Sequence, residues 1–322
     1  MGLGLGISVD WASLVPYYAQ VASAFKARVE ADGGTVESMS CLKADLKVLN
    51  PIKPPAYTGL LNDYSGAAAA YSLRLLDNTY SGNAIKVRRA SDNAEQDIAF
   101  SNNELDTASL ETFASGTDAF VTTWYDQSGN ANNATQTTAA NQPKIVSSGS
   151  TILENGKAAV DFDGSNDFLQ SVSNIGILGN SSRSLYVVEK PNDNANKTIL
   201  QYGGLGGGQF HNFTQEFGIR VSSGANLFEL IKTNQTLLEL TFPNGSSVLD
   251  DFELYIDSQV ATQTSNSVPT RLINTVDSQV TIGTYATAYS SMNLQEIIIY
   301  PSDESSNRTG IETNINDFYS IY

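Results

Sequence analysis

The side chains best suited to chemistry sit in two short polar turns. One is Asp126-Gln127-Ser128-Gly129-Asn130, and the other runs from Asp161 through Asp163-Gly164-Ser165-Asn166 to Asp167. Asp126, Asn130, Asp161, Asp163 and Asp167 are oxygen donors, the ligand type that a hard cation such as Ca2+ recruits when loops converge. The same residues also have a plainer use. A strand ends, glycine supplies a positive φ, and Asp or Asn side chains accept from turn amides. The turn reading is preferred, no cofactor is required, and ligand or calcium binding at these five residues is the functional alternative.

Other chemistries lack parts. The chain has one histidine, His211, and one cysteine, Cys41, which leaves no set for a zinc site, a histidine-based triad or an intrachain disulfide. His211 has no serine elbow or second histidine near it in sequence, so a satisfied or exposed imidazole is expected rather than a base. The preceding Gly203-Gly204-Leu205-Gly206-Gly207-Gly208 has neither a following helix nor a closing Lys-Ser/Thr, and reads as a hairpin tip.

Eighteen basic against 34 acidic residues give a formal charge of -16 and a pI near 4.3, which opposes phosphate-backbone binding. Lys86, Arg88 and Arg89 form the only dense basic stretch and read as a solvated strand edge, so no nucleic-acid partner is expected. No run approaches the roughly 18 apolar residues needed to cross a bilayer. The N-terminus lacks a basic region before an apolar stretch, which predicts synthesis and retention in the cytoplasm.

The elements that must position these residues change character along the chain. Ser13 can cap a helix from about Leu14 to Ala31, with Val15, Tyr18, Val21, Ala22, Phe25 and Val29 at helical spacing and Asp32-Gly33-Gly34 as its stop. Asn50-Pro51-Ile52-Lys53-Pro54-Pro55 reads as a stiff linker. Beyond it come short β-type runs split by Asn, Ser and Gly clusters, among them Ile85 to Arg89, Ala119 to Tyr125, Ala158 to Phe162, Ser184 to Glu189, Thr198 to Tyr202, Gln279 to Thr284 and Met292 to Tyr300. Helices are expected at Ala67 to Asp77, Thr107 to Ala114 and Ser305 to Tyr319. The predicted organisation is a small N-terminal helical anchoring segment, 1–55, and a mostly β jelly-roll sandwich, 56–322.

Two sets of motifs carry a resemblance. Ala70-Tyr71-Ser72-Leu73-Arg74-Leu75-Leu76, Tyr80-Ser81-Gly82, Val87-Arg88-Arg89-Ala90-Ser91-Asp92-Asn93 and Thr123-Trp124-Tyr125-Asp126-Gln127-Ser128-Gly129-Asn130 resemble, in that order, the opening of the α-L-arabinofuranosidase B catalytic domain. Gly156 to Leu169 and Leu294 to Ser302 look like the frame of LamG-like lectin folds. Both resemblances imply a concanavalin A-like sandwich whose last strand returns to the first. Similar modules occur in bacteriophage and surface-adhesion proteins.

The arabinofuranosidase resemblance further implies a Glu nucleophile, an Asp acid and a vicinal Cys-Cys disulfide in the pocket. Glu216 is the only positional match for the Glu, the Asp finds no match, and the cysteine pair is absent. These departures predict a chain without enzymatic activity: a virion structural or decoration protein, assembled in a host cytoplasm. It would display a lectin-like sandwich for host-glycan attachment. The apolar stripe Val15, Tyr18, Val21, Phe25 and Val29 would dock on other virion proteins or build a homo-oligomer, a trimer being favoured. A glycoside hydrolase of arabinofuranosidase type, or a free lectin, outside the cell is the alternative.

Overall fold

A computed structural model describes residues 57–193, 198–203, 211–214, 218–221, 224–228, 234–267, 269–276, 279–285 and 287–322. The expected N-terminal helix with Val15, Tyr18, Val21, Phe25 and Val29, the Pro-rich linker and Glu216 lie outside the described residues. The unit Tyr57–Tyr322 is described by itself. It is a mostly β, antiparallel sandwich.

The strands that build it are β1 (Ala69–Ser72), β2 (Ile85–Arg89), β3 (Glu95–Ile98), β4 (Ala119–Trp124), β5 (Ala134–Thr135), β6 (Lys144–Ser147), β7 (Val160–Asp163), β8 (Leu169–Asn174), β9 (Arg183–Pro191), β10 (Thr198–Tyr202), β11 (Thr236–Phe242), β12 (Glu253–Ile256), β13 (Gln279–Ile282) and β14 (Ser291–Tyr300). Three helices accompany them: α1 (Leu60–Asp63), α2 (Thr107–Ala114) and α3 (Arg308–Tyr319).

In the first sheet β14 lies between β9 and two short strands. Its early half pairs with β7, Val160 opposite Leu294, and its late half with β1, Ala69 opposite Ile299. The last strand therefore does return to the first. β9 continues the sheet to β11 and β12. β14 ends in an unbroken apolar run because both its faces are covered. Met292, Leu294, Ile297 and Ile299 join the core between the sheets, while Ile298 and Tyr300 face a second cluster with α3. There Ile311, Ile315 and Tyr319 recur every four residues, which puts them on one face of the helix, against Tyr186, Val188 and Leu237.

The second sheet runs β10, β13, β8, β5, β4, β2, β3. β4 is where the two sheets part. Its early residue Phe120 pairs with Lys144 of β6, which leads on to Asp161 of β7, whereas its late residues Thr123 and Trp124 pair with β5. The loop from Asp163 to Asp167 crosses from one sheet to the other beside this fork.

The helix expected at Ala67 to Asp77 is a strand. Alanine and leucine favour helix, but β1 is held on one side by β14 and on the other by side chains of the Asp126 turn. Tertiary hydrogen bonding overrides the local preference. α2 forms where expected, since Asp106 accepts from the Ser109 N–H at 3.0 Å as its cap and Ser115 ends it in the left-handed region.

Candidate functional site

The first turn is built into the fold. Asp126 Oδ1 accepts from the N–H groups of Ala70 (2.8 Å) and Ser128 (2.9 Å), and Oδ2 from Ser128 Oγ (2.8 Å) and the Asn132 N–H (2.9 Å). Gln127 Nε2 donates to the carbonyls of Ser72 and Arg74, and Asn130 Nδ2 to those of Ala67 and Ala68. These side chains replace the missing neighbour strand along the free edge of β1, where unpaired backbone groups would otherwise be costly. Gly129 takes φ +88°, the conformation its turn needs. Asp126 and Asn130 thus have their oxygens and amide committed to the frame.

The second turn differs. Asp161, Asp163 and Asp167 come together where β7 crosses to β8, and Asp126 is not among them. Asp163 Oδ1 accepts from the N–H groups of Ser165 (2.7 Å) and Asn166 (3.4 Å), so its carboxylate shapes the turn. The Asp163 N–H in turn donates to Asp167 Oδ2 at 3.1 Å. Asp167 is only 6% exposed. Burial pushes its carboxyl up to about 7; the carboxylates of Asp163 and Asp161 add to this, while the Asp163 N–H and Lys144 oppose it. Burial also raises Asp161, which is half-buried and accepts from Asn192 Nδ2 at 3.3 Å. Gly283 permits the tight packing here: a Cβ on it would lie 2.6 Å from the Phe162 ring and 3.1 Å from the Asp167 carbonyl. Among the described residues no group of three or more His, Cys, Asp or Glu is placed to hold a metal ion.

Three further carboxyl groups are fully enclosed. Glu296 receives Arg74 through Nε at 2.8 Å and Nη2 at 2.9 Å, together with Ser72 Oγ at 2.7 Å and the Tyr319 hydroxyl at 3.2 Å. Glu239 lies beneath α3 with Arg308 Nη1 at 3.8 Å, and burial pushes it up to about 8 against that cation. Glu189, near the end of β9, has no hydrogen-bond partner among the described residues, and burial alone pushes it up to about 8. Neither shift was anticipated from sequence. The signal was there for Glu189, an acid closing the apolar run Leu185-Tyr186-Val187-Val188.

A proton donor near neutral pH needs both a raised pKa and access to substrate. Glu189 and Glu239 have the first alone. Asp167 shares a turn with the exposed Asp163 and the half-buried Asp161, which makes it, among the described residues, the carboxyl nearest to meeting both conditions. Paired carboxyl groups, one protonated and one ionised, are the equipment of glycoside hydrolysis.

Residues 63–204 match the family model described as alpha-L-arabinofuranosidase B, catalytic. Among solved structures, an arabinofuranosidase complexed with arabinofuranosyl-α-1,2-xylobiose is similar at a TM-score of 0.57 and 18% identity, over 77% of this chain and 62% of that one. A GH54 α-L-arabinofuranosidase soaked with a cyclic sulfate inhibitor gives a TM-score of 0.55, and a mutant GH54 enzyme soaked with 4-nitrophenyl α-L-arabinofuranoside gives the same value, both at 18% identity and the same coverages. The likeness in each case is one of fold, and the chain spans 62% of the length of these relatives. No curated protein sequence matches the chain.

These findings correct the expectation of a virion, phage or adhesion protein without enzymatic activity. The model that matches is that of a catalytic domain, and the solved relatives are glycoside hydrolases. The unmatched Asp acid, the absent cysteine pair and the lack of a secretion signal point away from an enzyme, whereas the ordered motifs from Ala70 to Asn130 fall within the matched span and are the better guide.

Proposed function

We propose that the chain is a glycoside hydrolase of α-L-arabinofuranosidase type, with Asp167 as its proton donor. The observation that carries the reading is the catalytic-domain match over residues 63–204, a span that includes the whole Asp161 to Asp167 corner. In this role the Asp167 carboxyl, neutral below about pH 7, gives its proton to the glycosidic oxygen as the bond to the sugar lengthens. A second carboxylate, ionised, meets the positive charge that develops on the sugar or activates water. Asp161 and Asp163 are the neighbours of Asp167 for this part, and Glu216 is the further candidate from sequence.

Release of 4-nitrophenol from 4-nitrophenyl α-L-arabinofuranoside by the full chain tests the reading. Turnover is expected, and Asp167→Asn should lower it by about 100-fold or more, the usual worth of a positioned acid. Glu189→Gln should leave it within a few-fold. Absence of turnover across acidic and neutral pH, from protein whose melting is cooperative, would refute the assignment.

A further inference from the structure

The strand register of the second sheet lines up one row of side chains across seven strands. Gln201 of β10 lies opposite Thr281 of β13, which lies opposite Gln170 of β8, then Thr135 of β5, Thr123 of β4, Lys86 of β2 and Asp97 of β3. Neighbours along these strands, Leu200, Val280, Ile282, Leu169, Ala134, Trp124, Ile85 and Ile98, belong to the core between the sheets. Alternation therefore sends the row to the outer face. At about 4.8 Å per strand it extends roughly 29 Å.

Its composition is selective. Five consecutive positions, Gln201, Thr281, Gln170, Thr135 and Thr123, carry only amides and hydroxyls, in a chain with 34 acidic residues. Charge appears at one end, where Tyr125 donates its hydroxyl to Asp97 Oδ1 at 2.6 Å and adds an aromatic ring. All but Thr281 and the exposed Asp97 are half-exposed, and Gln170 Nε2 donates to Thr281 Oγ1 at 3.2 Å. Gln201 Oε1 is enclosed, with no donor among the described residues, and so stands apart from the accessible part of the row.

We propose that this row is the binding surface for the backbone of a neutral polysaccharide laid across the strands, one sugar to about each strand. The proposal rests on the hydrolase reading for its substrate class, a xylan-like chain carrying arabinofuranosyl branches. A neutral hydroxyl-rich polymer matches the five uncharged positions, and an extended chain is the form that spans a row of this length. The row also passes the candidate acid, because Gln170 is three residues beyond Asp167 and Gln136, next to Thr135, donates its Nε2 to the Phe168 carbonyl at 3.3 Å. A branch would then turn towards the corner while the backbone stays on the sheet.

Titration calorimetry of the full chain with soluble arabinoxylan, with polygalacturonate as an acidic polymer of comparable size, tests this. Thr135→Arg places bulk and charge in mid-row, and Thr281→Val removes a hydroxyl without changing volume. Arabinoxylan affinity should fall by about tenfold or more in Thr135→Arg and several-fold in Thr281→Val, as expected for lost hydrogen bonds at a contact surface. Equal arabinoxylan binding by wild type and both variants, no binding by wild type, or equal binding of polygalacturonate would overturn the proposal. Polymer binding that the variants lose, without release of 4-nitrophenol by any form, sinks the hydrolase reading and upholds the surface. Release of 4-nitrophenol with unaltered polymer binding does the reverse.

Discussion

The two outer faces of this sandwich are made from the same kind of alternating strand, yet one carries apolar side chains under a helix and the other, among the described residues, a row of mostly half-exposed polar ones. On the first sheet Tyr186, Val188, Leu237, Ile298 and Tyr300 lie under α3. On the second, the corresponding positions are Gln201, Thr281, Gln170, Thr135 and Thr123. Two carboxyl groups show a related contrast. Beneath the helix Glu296 is saturated by Arg74, Ser72 and Tyr319 and serves stability. Asp167, at the fork between the sheets, keeps a raised pKa next to exposed neighbours. Burial alone does not mark a chemical group; burial beside an opening does.

The strongest way to break the comparison is to remove the cover. Deleting residues 305–322 takes away Ile311, Ile315 and Tyr319, whose burial contributes about 1.5–3 kcal/mol each. Their sum approaches the whole stability of a typical domain, and the apolar face would lie open. Aggregation or loss of the cooperative melting transition is expected. A soluble truncated chain with unchanged melting would show that α3 is dispensable.

A narrower cut is Arg74→Leu, which leaves Glu296 buried without its cation and should cost about 3–5 kcal/mol by urea unfolding. Adding Glu296→Leu should recover most of that loss. If the double variant is no better than the single one, the pair is not the source of the effect.

Glu189 sharpens the contrast through pH. Its carboxyl is raised from 4.5 to about 8 in the folded chain, so between those values the folded state holds a proton that the unfolded state has released. Stability from this group is complete below pH 4.5, falls as pH rises and is lost above about 8. Glu189→Gln should therefore stabilise the chain at pH 9, on the order of a few kcal/mol, and change little at pH 4. Urea midpoints that shift equally at both values would contradict the assignment. The smallest effect belongs to the surface: Lys157→Met breaks the ion pair with Glu104 and should cost less than about 1 kcal/mol.

Much of the frame was legible in the sequence because it is local. Ile85 to Arg89, Thr198 to Tyr202 and Thr107 to Ala114 form the elements their periodicity suggests, and Gly129 marks its turn. β1 was misread as helix because its edge is completed by Asp126 and Gln127, more than 50 residues away. β8 was not anticipated, since Leu169-Gln170-Ser171-Val172-Ser173-Asn174 carries too few apolar positions to announce a strand. The outer row was invisible for a related reason: its members are ordinary polar residues until register brings them into line. In sequence Asp167 reads only as an oxygen donor, and its raised pKa comes from burial at the crossing between sheets, which no single segment encodes.

The pH-rate profile for hydrolysis of 4-nitrophenyl α-L-arabinofuranoside, by wild type and Asp167→Asn, tests the central claim most directly. With Asp167 as the acid, activity should decline above about pH 7 as its carboxyl loses the proton. Asp167→Asn should lower kcat/KM by about 100-fold or more and abolish that limb, while cooperative melting is retained. A variant that keeps wild-type kcat/KM and the same alkaline limb would contradict the account.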